Sequence, residues 1–164
     1  MINSDVIYKD IINILDKNKI DYKLFTHKSA FSYEELAEVQ KQIGFFGTEM
    51  KCLVLNSKET FLVYVTIQGN KLNFNKMKEF LKIKELRLAT TKELAETFGA
   101  KPGCAYPFGF SDEIPIFIDP LVYNQEHLLF SPILPTKTIQ ISSKELKRVF
   151  SNIQNKITEI NFNL

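Results

Sequence analysis

A chain of 164 residues, 45% hydrophobic and 24% charged, is long enough to bury a core of its own without a metal or disulfide staple. Its net charge of only +2 does not argue for a protein that wraps a duplex, where many phosphates must be neutralised, but is compatible with contact with one end of an RNA. No apolar run is long enough to span a bilayer, and Asp5, Lys9 and Asp10 interrupt the apolar residues a signal peptide would need. These features lead us to expect a soluble, cytoplasmic protein with free thiols at Cys52 and Cys104, which show no metal-ligand spacing.

In chain order, Ile7, Ile11, Ile14 and Leu15 recur at helical spacing and predict an amphipathic helix from Asp5 to Asn18. A short strand is expected at Tyr22–Phe25. Ser32 and Glu35 form a capping-box pattern ahead of Leu36, Val39 and Ile43, with Gly44 and Gly47 closing that second helix. Met50–Asn56 and Thr60–Gln68 read as two strands of a hairpin, apolar on successive residues and therefore covered on both faces. Asn75 should open a short helix through Met77, Phe80 and Leu81, followed by a strand at Glu85–Ala89. Thr90 and Glu93 give another capping box before Leu94, Ala95 and Phe98, and Gly99 ends that helix.

Gly99–Gly109 carries too many glycines and prolines for a helix or central strand and must be a structured loop. Strands are expected at Ile114–Ile118, His127–Phe130 and Thr136–Ile141. Ser142 and Glu145 then cap a last helix with Leu146, Val149, Phe150, Ile153 and Ile157 on one face. No internal repeat or linker divides the chain, so residues 1–164 are expected to form one domain. The hairpin and the late run of strands break a regular β-α alternation, which points to a mixed sheet or barrel with helices outside.

Two features carry chemistry. In Gly99-Ala100-Lys101-Pro102-Gly103, followed by Cys104-Ala105-Tyr106-Pro107-Phe108-Gly109, the glycines permit close backbone approach and Pro102 stiffens the turn. Exposed N–H groups there could hold a carbonyl oxygen or phosphate; the alternative is a plain helix-to-strand connector. Lys51, at the start of an otherwise apolar strand, is either a solvated edge residue or a cation aimed into a cleft.

The strand opening Lys51–Leu55, the Gly99-x-x-Pro102-Gly103 loop with Pro107-Phe108-Gly109, and the run Ile114–Asp119 occur in an order and spacing that resembles the YbaK family, related to the editing domain of bacterial prolyl-tRNA synthetases. The resemblance covers roughly Ile11 to Phe150. It implies an α+β fold, a mixed, largely antiparallel β-sheet or barrel of about six to seven strands surrounded by helices. It implies hydrolysis of the ester of a mischarged tRNA, tRNA-Pro or another tRNA carrying a small amino acid, with no cofactor and no metal. The implied partners are the acceptor end of an aminoacyl-tRNA and an aminoacyl-tRNA synthetase.

By the same resemblance Lys51 contacts the terminal adenosine or the ester, and Gly103 belongs to the catalytic loop. Gly99, Lys101, Pro102, Cys104, Tyr106, Ser131 and Phe31 are the implied substrate-binding set. Ser131 stands where some relatives carry His or Asn, and Tyr106 where many carry a small hydroxyl residue or Pro. These departures bear on amino-acid preference and motivate a second reading, a catalytically silent module that binds tRNA or a synthetase.

Other residues have plainer readings. Cys52 should alternate to the far side of the strand from Lys51 and fill core, while Cys104 sits in the functional loop; a Cys-dependent hydrolase using His27 or His127 is a third, weaker reading. Phe31 and Tyr33 could stack on adenine or simply pack. Lys76, Lys78, Lys82 and Lys84 read as a solvated face, with acceptor-stem contact as the alternative.

Overall fold

The computed structural model describes residues 2–162. Helix α1 (Ser4–Lys17) starts at Asn3, whose side chain accepts from the Asp5 N–H, and buries Ile7, Ile11 and Leu15 along one face. Strand β1 (Tyr22–Thr26) follows. Ser32 caps α2 (Tyr33–Ile43) by accepting from the Glu35 N–H at 3.2 Å. The Glu35 carboxylate does not return to Ser32; it accepts from the Phe31 N–H at 2.7 Å, one residue further back.

Strands β2 (Thr48–Asn56) and β3 (Phe61–Ile67) form the expected antiparallel hairpin. Asn73, not Asn75, caps α3 (Phe74–Leu81), its side chain accepting from the Lys76 N–H. The strand expected at Glu85–Ala89 contracts to β4 (Arg87–Leu88). The Thr90–Glu93 capping box is closed in both directions and opens α4 (Thr91–Glu93), which widens into a π-helical turn at Leu94–Phe98.

Beyond the long loop lie β5 (Ile116–Ile118), a 3-10 turn at Pro120–Asn124, β6 (His127–Phe130), β7 (Lys137–Ser142) and α5 (Ser143–Asn152). Ile153 and Ile157 do not extend α5. Ile153 is already extended, and Asn155 donates to the carbonyls of Ser111 and Ile114, pulling the chain across to the sheet. There Ile157–Glu159 pairs with β5 as β8, a strand the helical spacing had hidden.

The strands run in the order β1-β7-β6-β2-β3-β5-β8, with β4 attached to β2. The β2–β6, β3–β5 and β5–β8 pairs are parallel and the others antiparallel. This is a mixed sheet of eight strands among the described residues, its path running from β1 to β8 as a sheet and not a ring. Both faces are covered, as the continuous apolar runs required. Val63 and Val65 of β3 face a core shared with α1 and α5, while Leu62 and Tyr64 face a second cluster around Met77 of α3. A third cluster seats Val39 of α2 against Phe45 and Leu129.

Candidate active site

The sheet forks along one edge of β2. At its start, Thr48 and Glu49 pair with β6; at its end, Leu55 and Asn56 pair with β4. Between these attachments no strand is registered against Met50–Leu53 on that edge among the described residues. A cavity of about 340 Å³ occupies the gap, so successive residues Glu49 to Leu53 all reach its wall, whichever way their side chains alternate. The N-terminal turn of α2 from Phe31, the loop residues Gly103 and Ala105, and Phe130-Ser131 at the end of β6 complete it.

Lys51 lines this cavity. Its ammonium donates to the Asn70 carbonyl at 3.0 Å. Asn70 is fixed in turn, because its side-chain amide donates to Thr66 Oγ1 at 2.8 Å and to Asp119 Oδ2. Asp119 is buried and collects further donors: Thr66 Oγ1 at 2.9 Å, the Tyr64 hydroxyl at 3.3 Å and the Leu121 N–H at 2.9 Å. Burial and the adjacent Asp119 push the Tyr64 phenol upward, which keeps it a donor. Lys51 thus has a positioned ammonium with one protein acceptor and donors to spare.

The loop reaches the cavity at Gly103. This residue has φ +84, and a Cβ there would lie 2.5 Å from the Phe31 carbonyl oxygen. Only glycine lets the loop dock so closely on the chain entering α2. The N–H groups of Gly103 and Ala105 donate to no acceptor among the described residues, and both residues line the cavity. Phe31 is 43% exposed at the rim, with the Lys101 ammonium 5.8 Å from its ring centroid.

Glu49 is the residue the sequence reading missed. Its Oε1 is shut off from solvent and has no hydrogen-bond partner. Burial raises its carboxyl to about 7. The available signal was an acidic residue two places before Lys51, at the mouth of an otherwise apolar strand. The Asp119 hub was also missed; an Asp-Pro step after an apolar strand is its trace in the sequence.

Of the expected site residues, the cavity brings together Lys51, Gly103, Phe31 and Ser131. The Ser131 hydroxyl donates to the Leu134 carbonyl at 3.0 Å and keeps lone pairs for an incoming donor. Gly99, Lys101, Pro102, Cys104 and Tyr106 lie outside its lining. Gly99 backs onto α1, where a Cβ would meet Ile7 at 2.9 Å. Lys101 and Pro102 are exposed. Tyr106 is 2% exposed and donates its hydroxyl to the Phe98 carbonyl at 2.9 Å, so it braces the loop from within the core and does not narrow the cavity.

Cys104 is 1% exposed. Cys52, expected to be core, both packs on the core and lines the cavity, because the fork exposes the strand edge. Burial pushes its thiol up to about 12 and also raises that of Cys104, which leaves neither as a ready thiolate nucleophile. His27 bonds Thr138 and the Lys28 carbonyl, and His127 meets the Phe46 ring edge-on; neither lines the cavity. Among the described residues no His, Cys, Asp and Glu cluster is placed to hold a metal, and no helix is long and apolar enough to cross a membrane.

A forked mixed sheet thus brings Lys51, Gly103 and Ala105 to one small cavity at the sheet's edge. The chain belongs to the aminoacyl-tRNA editing domain family, whose model matches residues 27–149. It is 34% identical over 70 residues to a proline–tRNA ligase of Kosmotoga olearia, a match spanning 43% of this chain and 12% of the ligase. In fold it resembles a solved hypothetical protein, with TM-score 0.74 and 18% identity over 92% of this chain and 97% of that one. It also resembles a protein proposed as a trans-editing enzyme for prolyl-tRNA synthetase, with TM-score 0.73 and 18% identity over 93% and 95% of the two chains.

Proposed function

We propose that this protein is a deacylase that acts in trans, in the cytoplasm, on a mischarged tRNA bearing a small amino acid, with residues 1–164 working as one unit. The observation that carries this reading is that Lys51 and Gly103, from distant parts of the chain, line one cavity of about 340 Å³. That volume is at the lower end for small-molecule sites and suits a small aminoacyl ester, with adenine left at the rim against Phe31. The similarity to a proline–tRNA ligase supports tRNA-Pro as the substrate and a synthetase as a partner.

In this reading Lys51 and the Gly103 and Ala105 amides face the ester carbonyl and the charge that develops on its oxygen. Water adds to the carbonyl carbon, and the ribose oxygen leaves with a proton, giving free amino acid and uncharged tRNA. Donors fixed in advance cost no reorganisation, and losing one typically lowers the rate about a hundredfold. Lys51→Ala should therefore cut kcat/KM for deacylation about a hundredfold or more with circular dichroism unchanged. Unaltered hydrolysis across a panel of mischarged tRNAs would remove Lys51 from the mechanism. Binding of the panel by the wild-type protein without hydrolysis would assign it instead as a silent binding module.

A further inference from the structure

The cavity holds a carboxyl group with nothing to bind. Glu49 Oε1 is sealed from solvent without a partner, and no ion pair reaches the side chain among the described residues. None of the titratable and charged groups around it bonds to its carboxyl among the described residues. On its own strand Lys51 is turned to the Asn70 carbonyl, and Cys52 has a raised thiol. From α2 come Tyr33, whose phenol Glu49 helps push up, and Glu34. A buried carboxyl without a partner destabilises the fold that contains it, so a group kept in a ligand cavity in this state is suited to a ligand that brings the missing donor.

We propose that Glu49 receives the free α-ammonium group of the aminoacyl ester and makes the cavity selective for aminoacyl over N-acylaminoacyl esters. This deepens the deacylase reading above and rests on it. The ammonium supplies positive charge and N–H donors to the carboxylate where the Glu49 side chain lines the cavity, a charge-assisted bond next to an oxygen already shut off from water. An N-acylated amine offers one neutral N–H and no charge, and its acyl group must also find room against an apolar wall. The free carboxyl, raised to about 7 by burial, gives up its proton when the ammonium docks. The cavity would then reject peptidyl and formylated esters by chemistry and not by size alone.

The test uses two non-hydrolysable probes, 3′-alanylamino-3′-deoxyadenosine and its N-acetyl derivative, in calorimetric titrations at neutral pH. The wild-type protein should bind the free-amine probe at least about tenfold more tightly, the scale of one charged hydrogen bond. Glu49→Gln should bind both probes alike, at the acetylated level. Titration in two buffers of different ionisation enthalpy should show proton release on binding by wild type and none by the variant. Equal binding of the two probes by wild type, or a preference retained in Glu49→Gln, overturns the proposal; the wild-type comparison stands even if the variant does not fold. Absence of binding by both probes overturns it too, and hydrolysis of a mischarged tRNA by the same preparation would then show the deacylase reading surviving alone. Glu49-dependent binding without any hydrolysis would show the reverse.

Discussion

Replacing Glu49 with Gln removes a charge that the fold opposes and keeps the shape of the side chain. Burial lifts its carboxyl from the ordinary 4.5 to about 7. At about 1.4 kcal/mol for each tenfold change in proton affinity this amounts to roughly 3.5 kcal/mol, and partial opening to the cavity reduces it to about 2 kcal/mol. The folded chain holds the proton more tightly than the unfolded chain. Below pH 4.5 both states keep it and no penalty exists. Between 4.5 and 7 the unfolded chain loses its proton first, so stability falls as pH rises, and above 7 the loss is complete. Gln never ionises and lacks this slope. Urea unfolding at pH 5 and pH 8 should therefore show wild type losing about 2 kcal/mol relative to Glu49→Gln between the two conditions. Parallel pH dependences in the two proteins would refute the claim that this carboxyl is buried and unpaired.

Gly103→Ala should destabilise the protein by about 2 kcal/mol, since its new Cβ must adopt a left-handed backbone and displace the Phe31 carbonyl. Thermal unfolding measures the loss, and deacylation kinetics should show a raised KM as the rim moves; wild-type stability would mean the loop is not docked there. Cys52→Ser combined with Cys104→Ser should leave kcat/KM within about threefold when assayed below the unfolding transition, because neither raised thiol supplies a nucleophile. A loss of a hundredfold would return the thiol mechanism to consideration.

The elements of the fold were legible wherever local chemistry acts alone. The Thr90–Glu93 box and the Ser32 and Ser142 caps are local hydrogen bonds, and each starts a helix where its sequence pattern places it. Reading failed where a distant partner decides. Ile153 and Ile157 continue the apolar spacing of α5, but two hydrogen bonds from Asn155 to the Ser111–Ile114 segment carry the chain to β5 instead. Arg87–Leu88 is a strand only as far as β2 remains free to pair with it.

The site shows the same division, with a further consequence. Strand periodicity sends Lys51 and Cys52 to opposite faces, and that rule assigned Cys52 to the core. A fork in the sheet suspends the rule, since a cavity at a strand's free edge is reached from both faces. Glu49 enters the site for this reason: it lies at the last pair joining β2 to β6, where the sheet begins to part. One of its oxygens is shut off from solvent without a partner, while its side chain lines the cavity beside the fork. The opening of the sheet therefore dictates where the cavity forms and brings Glu49 into its lining.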